Sequence, residues 1–124
     1  MNNKRVQCEL HKVVREINTH GDIYTFYRKK KDKYGEDTKE NETFANNVIN
    51  GLFHLSKGYS TKSVSDGTET HSKGQPMLLA EHKKALNIKK NDIVFINEKM
   101  YKVVDKNNIQ EYNILTDISL ELMI

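Results

Sequence analysis

Residues 92–105, Asp92-Ile-Val-Phe-Ile-Asn-Glu-Lys-Met-Tyr-Lys-Val-Val-Asp105, constrain the fold more than any other part of the chain. Two short apolar stretches flank a polar break at Asn97, Glu98 and Lys99, which is the pattern of a β-hairpin. Residues 93–96 are a continuous apolar run. Such a strand is covered on both faces or sits at a barrel seam. Residues 100–104 alternate only in part, with Tyr101 and Val103 set against Lys102 and Val104. A third strand follows over 114–122, where Ile118, Leu120 and Leu122 share one face and Asp117, Ser119 and Glu121 the other. The C-terminal third is therefore expected to be antiparallel β, with Ile93, Phe95, Tyr101, Val103, Ile118 and Leu120 at the centre of the core.

Upstream, residues 5–10 fit either a strand or a first helical turn. His20-Gly21-Asp22 marks a turn. Residues 22–30, with Ile23, Tyr24, Phe26 and Tyr27, carry the β-branched and aromatic content of a strand. Residues 31–43 are dense in charge of both signs and are expected as a hairpin loop or a mobile arm. Residues 42–56 read as a second long strand. One alternating set is Ala45, Ile49, Phe53 and Leu55, and the other is Phe44, Val48 and Leu52. Gly51 in its middle signals a bulge or a close backbone approach. A long polar loop is expected over 57–75, a length that is generally functional or disordered. Pro76 favours extended chain before it, Met77 to Ala80 resume the core, and 81–86 read as one or two helical turns. The whole describes one domain over 1–124: all-β, a small antiparallel β-barrel with long loops and one short helix.

Composition limits what such a domain can do. Hydrophobic residues make up 36% and charged residues 30% of the 124, so the core is lean and invites completion by a partner. A net charge of +3 is too mild to imply nucleic acid by itself. The one cysteine, Cys8, excludes an internal disulfide and suits a reducing compartment. No apolar stretch reaches membrane-spanning length and the N-terminus lacks a signal-peptide core, so a soluble intracellular chain is expected. Cys8 and His11 have C-x-x-H spacing with His20 nearby, but there is no second cysteine, and His54, His71 and His82 are scattered. No metal site and no cofactor is expected. No nucleophile elbow, P-loop or paired nucleophile and base stands out, so no enzyme is expected.

The basic cluster is Arg28, Lys29, Lys30, Lys31 and Lys33, with Tyr24, Phe26, Tyr27 and Tyr34 around it. Aromatics beside cations bind single strands by stacking, which gives one functional alternative: a small β-barrel nucleic-acid-binding module built on residues 24–34. Passive contact of these cations with DNA phosphates is a weaker demand on the same residues. Glu36, Asp37, Glu40 and Glu42 offset much of their field.

Five stretches carry a family resemblance. They are Gly74-Gln75-Pro76-Met77-Leu78-Leu79, then Leu86-Asn87-Ile88 leading into Asp92-Ile93-Val94, then Tyr101-Lys102-Val103-Val104, and Asp117-Ile118-Ser119-Leu120-Glu121. Together they resemble the head–tail joining (head closure, or head-tail connector) proteins of long-tailed bacteriophages. That family usually places glycine before the aspartate and Asn-Gly in the hairpin, where this chain has Asn91 and Asn97-Glu98. Glutamate is a poor residue for positive φ, so the turn is expected to extend through Lys99. The resemblance implies a virion structural protein of a phage or prophage, assembled in the bacterial host cytoplasm. It implies a homo-oligomeric ring between portal or adaptor and tail proteins, helping to retain packaged double-stranded DNA. It also implies that the 57–75 loop, with Lys57, Tyr59, Lys62, Val64 and Lys73, lines the channel or clasps a neighbouring subunit. Arg28, Lys29, Lys30, Lys31 and Lys33 would then touch the DNA backbone without sequence preference.

Overall fold

Val6, Leu10, Val13, Val14 and Ile17 recur at helical spacing, and one face of a helix collects them. The computed structural model, which describes residues 3–56 and 74–123, forms helix α1 over Asn3–His20 with Val14 and Ile17 buried. The amide of Gly21 closes the helix on the Ile17 carbonyl at 2.8 Å. Seven strands follow: β1 Asp22–Lys31, β2 Asp37–Glu42, β3 Val48–Ser56, β4 Gln75–Glu81, β5 Ile93–Ile96, β6 Lys99–Asn108 and β7 Leu115–Leu122. A short 3₁₀ turn at Ile109–Glu111 joins the last two.

The strands pair antiparallel in the order β2-β1-β3-β4-β7-β6-β5, and β1 pairs again with β5. Six strands thus close into a barrel, and β2 stands outside it as the second strand of an arm. β1 serves both. Its first half pairs with β3, from Asp22 opposite Gly51 to Thr25 opposite Val48. Its second half pairs with β2, Arg28 opposite Glu42. The closing seam is short, Phe26 opposite Val94 and Tyr27 opposite Ile93, so the apolar run 93–96 does lie at a barrel seam.

Inside the barrel Phe26, Leu78, Val94, Val103, Ile118 and Leu120 are buried, joined by Tyr24, Ile49, Ala80, Ile96 and Tyr101. The bottom is plugged by Ala85 and Ile88 from the chain between β4 and β5. A second cluster lies outside, where Val14 and Ile17 of α1 meet Ile114 and Leu115, with Leu79 and Tyr112 packed alongside. The helix covers the outer face of β3, β4 and β7. No helix among the described residues is long and apolar enough to cross a membrane.

Several expectations are corrected. Among the described residues the α-helix is α1. Residues 81–86 form successive turns, Ala85 N–H to the Glu81 carbonyl at 3.1 Å and Ile88 N–H to the Ala85 carbonyl at 3.2 Å, bent so that Ala85 and Ile88 enter the barrel. Residues 31–43 are not all loop, because β2 forms there. The strand expected over 42–56 begins only at Val48, after a turn with Asn46 at φ 59°. Phe95 is 50% exposed while Val94 is fully buried. A continuous apolar run carries no parity, and the pairing of Val94 with Phe26 and Tyr101 sets it. Leu122, on the same face as Ile118 and Leu120, emerges at the barrel mouth and is exposed. The β5–β6 hairpin is a two-residue turn after all: Ile96 pairs with Lys99, and Asn97 and Glu98 take φ of 52° and 67°. The register on either side imposes positive φ on Glu98. Val104 broke the alternation of 100–104 because the β6–β7 register shifts between Val103 and Asp105, a bulge.

Gly51 is a close approach, as expected. A Cβ there would lie 2.9 Å from a Leu78 methyl. Gly21 is tighter, since a Cβ would fall 2.5 Å and 2.6 Å from the backbone oxygens of Ile17 and Gly51. Gly21→Ala is expected to destabilise by about 1–3 kcal/mol through forced backbone movement. Phe26→Ala is expected to cost about 3–5 kcal/mol and Phe95→Ala far less, because only the first empties a filled site. Urea unfolding of the three variants checks this, and equal losses at Phe26 and Phe95 would refute the register.

Candidate functional site

The arm leaves the barrel at Arg28. Phe26 and Arg28 share the inward face of β1, so the Arg28 side chain points under the barrel. There it meets Asp92, which is 1% exposed. Nε donates to Oδ1 at 2.8 Å and Nη2 to Oδ2 at 2.9 Å. Nη2 also donates to the Asn87 carbonyl at 2.9 Å, and the guanidinium lies over the Phe44 ring, 4.0 Å from its centroid. Asp92 Oδ2 accepts a further bond from the Lys89 amide at 2.7 Å, while Val103 N–H donates to the Asp92 carbonyl at 2.8 Å. The carboxylate hydrogen bond raises the Arg28 pKa above the ordinary arginine value, with burial opposing. The guanidinium therefore stays charged throughout the working pH range.

Around this pair lies a cleft of about 160 Å³ between the arm and the 89–92 turn, lined by Arg28, Lys29, Lys31, Asp37, Lys89, Lys90, Asn91 and Asp92. Lys31 is paired with Asp37 at 2.6 Å. Among the described residues no ion pair engages the ammonium groups of Lys29, Lys89 or Lys90. Next to the cleft, Lys106 donates to the Ala85 carbonyl at 3.0 Å. Burial pushes its pKa down, Asp92 pulls it up, and the like charge of Lys89 pushes it down again.

The arm itself is ordered by Asp32, whose Oδ1 accepts from the Tyr34 and Glu36 amides at 2.8 and 3.0 Å. Lys30 faces Glu40 at 3.7 Å, and Lys33 lies over the Tyr34 ring. Of the basic cluster expected to touch DNA, Arg28 is thus withdrawn into a structural pair, Lys30 and Lys31 face carboxylates, and Lys29 stays open. Tyr24 and Phe26 are core side chains, 9% and 0% exposed, and offer no stacking surface. Tyr27 points outward and meets Phe95 edge-on, centroids 6.3 Å apart. Lys89 and Lys90 join the cluster from 56 or more positions downstream in sequence. The basic dipeptide just before Asn91-Asp92 was their one signal.

At the opposite end of the barrel, the mouth encloses about 590 Å³ lined chiefly by Phe53, Leu55, Pro76, Tyr101, Leu120 and Leu122. β3 ends there at Ser56 and β4 begins there at Gln75. Lys57, Tyr59, Lys62, Val64 and Lys73, expected to line a channel or clasp a neighbour, lie outside the described residues. Cys8 is exposed on α1, and no group of three His, Cys, Asp or Glu side chains among the described residues is placed to hold a metal ion. Comparison with protein-family models, curated proteins and solved structures gives no match.

Arg28→Ala is expected to lower stability by about 3–5 kcal/mol, because it leaves the buried Asp92 carboxylate without its cation. Lys29→Ala, one residue on and pointing outward, is expected to change it by no more than about 0.5 kcal/mol. Urea denaturation of both variants at neutral pH decides, and a silent Arg28→Ala would refute the role given to the pair.

Proposed function

We propose that the chain is a head-closure (head–tail joining) protein of a tailed bacteriophage or prophage, one subunit of a ring between portal or adaptor and tail that helps to retain packaged DNA. The observation that carries this is where the family-like stretches fall. They occupy β4, the 82–92 turn, β5, β6 and β7, a continuous part of one closed barrel. Their conspicuous residues are the ones that build it: Gln75 Nε2 donates to the Leu120 carbonyl, Asp92 anchors Arg28, and Leu78, Val94, Val103, Ile118 and Leu120 fill the core.

The outer surface suits lateral assembly. α1 packs on β3, β4 and β7, and exposed apolar side chains also stand on the outer side of β1, β3 and β5. Ile23 is 69% exposed there, with Val48 and Leu52 as its diagonal neighbours across the β1–β3 pair. Phe95 continues the strip on β5. A row of exposed apolar side chains of this kind marks a protein–protein surface. Barrel closure leaves free strand edges on the arm, on β2 and on the second half of β1, so subunits would meet through this strip and through the arm.

Electron microscopy of the purified chain mixed with the portal–adaptor complex of the same genome is expected to show one added ring of density. Ile23→Asp combined with Leu52→Asp is expected to keep the circular dichroism of the wild type and to abolish that ring. Wild-type chain that adds no density to the complex would overturn the proposal.

A further inference from the structure

The cleft at the base of the arm gathers five cations, Arg28, Lys29, Lys31, Lys89 and Lys90, against two carboxylates, Asp37 and Asp92. That local excess of three equals the net charge of the whole chain, +3. The remaining charges of the chain sum to zero. The two carboxylates are also spoken for, Asp92 by Arg28 and Asp37 by Lys31. What remains is Lys29 from β1 and Lys89 and Lys90 from the facing turn, three lysines that line one cleft. Crowded, unneutralised cations raise the energy of the free protein and are relieved by an anion.

We propose that Lys29, Lys89 and Lys90 grip the phosphodiester backbone of duplex DNA, without reading its sequence. The inference deepens the connector reading and rests on it for the source of the duplex.

Three features of the cleft select this ligand. The open cations are lysines, point charges on flexible stems, which suit phosphate oxygens at variable positions. An acidic protein segment is better matched by arginine forks, and the one arginine here is committed to Asp92. No aromatic side chain lines the cleft, so unstacked bases of a single strand gain nothing from it. Asn91 is the one uncharged polar residue in the lining, too little to read base edges. The neighbouring pairs hold the frame. Arg28–Asp92 fixes the turn that presents Lys89 and Lys90, and Lys31–Asp37 fixes the strand that presents Lys29.

Fluorescence anisotropy of the full chain with a short mixed-sequence duplex, titrated with KCl, tests the proposal. Combining Lys29→Gln, Lys89→Gln and Lys90→Gln is expected to reduce the log–log salt slope by about 2–3, the value for three lost phosphate contacts. Combining Lys12→Gln, Lys39→Gln and Lys83→Gln makes the same change in net charge and is expected to leave the slope unchanged. The corresponding arginine triple at positions 29, 89 and 90 is expected to restore it. Equal loss in both glutamine triples would overturn the proposal by reducing the effect to net charge. Absence of duplex binding at low salt would overturn it too, as would tighter binding of single strands, or competition by polyglutamate as strong as by duplex. A chain that joins portal particles yet fails this test loses the DNA grip alone. A chain that passes it yet never joins them keeps the grip and loses the connector reading.

Discussion

The Arg28–Asp92 pair is the interaction on which the closed form of the barrel depends. Five of the six barrel contacts are ladders of four or more paired residues, but β1 and β5 share only two. That seam is too short to hold by backbone pairing alone, because each ladder bond contributes little net free energy. Arg28 follows directly after the last seam residue of β1, and Asp92 directly precedes the first of β5. The bidentate pair thus continues the seam by one further rung, made of side chains instead of backbone. Its strength comes from being charge-assisted and shielded, with Asp92 out of water and Phe44 covering the guanidinium. Burying a carboxylate is costly on its own. Here the Lys89 amide and two guanidinium N–H groups satisfy it, and no buried side-chain polar atom among the described residues lacks a partner.

The same pair organises the bottom of the barrel. Arg28 also holds the Asn87 carbonyl, Asn87 reaches across to the Ala45 carbonyl at 3.0 Å, and Lys106 holds Ala85. These bonds pin the 82–92 segment across the barrel end with Ala85 and Ile88 as its plug. At the mouth, among the described residues, Leu55, Tyr101 and Leu122 line a cavity, and Gln75 Nε2 donates to the Leu120 carbonyl.

Much of the barrel was legible in the sequence, for reasons that differ by element. β1 announced itself by aromatic and β-branched content, β7 by alternation, and β5 by an apolar run that fits a barrel seam. The run that revealed β5 also concealed which of its side chains point inward, since Val94 and Phe95 are equally apolar. α1 carried a clear 6-10-13-14-17 spacing, but the dense lysine, arginine and glutamate between those positions masked it. The Asn97-Glu98 turn was misjudged because local preference disfavours Glu98 at positive φ, and the long-range register overrode it. The candidate site was the least legible part. Arg28 looked like one more member of a lysine run, although an arginine alone among lysines is a hint of fork-type pairing. Its partner lies 64 residues away, and nothing local connects them. Lys89 and Lys90 become neighbours of Lys29 only once that pair has formed.

β1 passes from barrel wall to arm without interruption, over ten residues or roughly 33 Å at the usual rise of a strand. The arm is therefore not a tether but a rigid lever whose fulcrum is the rung formed by Arg28 and Asp92. The β1–β2 register is irregular between Lys29 and Lys31, within the arm. A force on the tip at Tyr34 enters the wall by two routes, along β1 beside the seam and along β2 towards β3, where the Phe26 N–H donates to the Asn47 carbonyl at 2.8 Å.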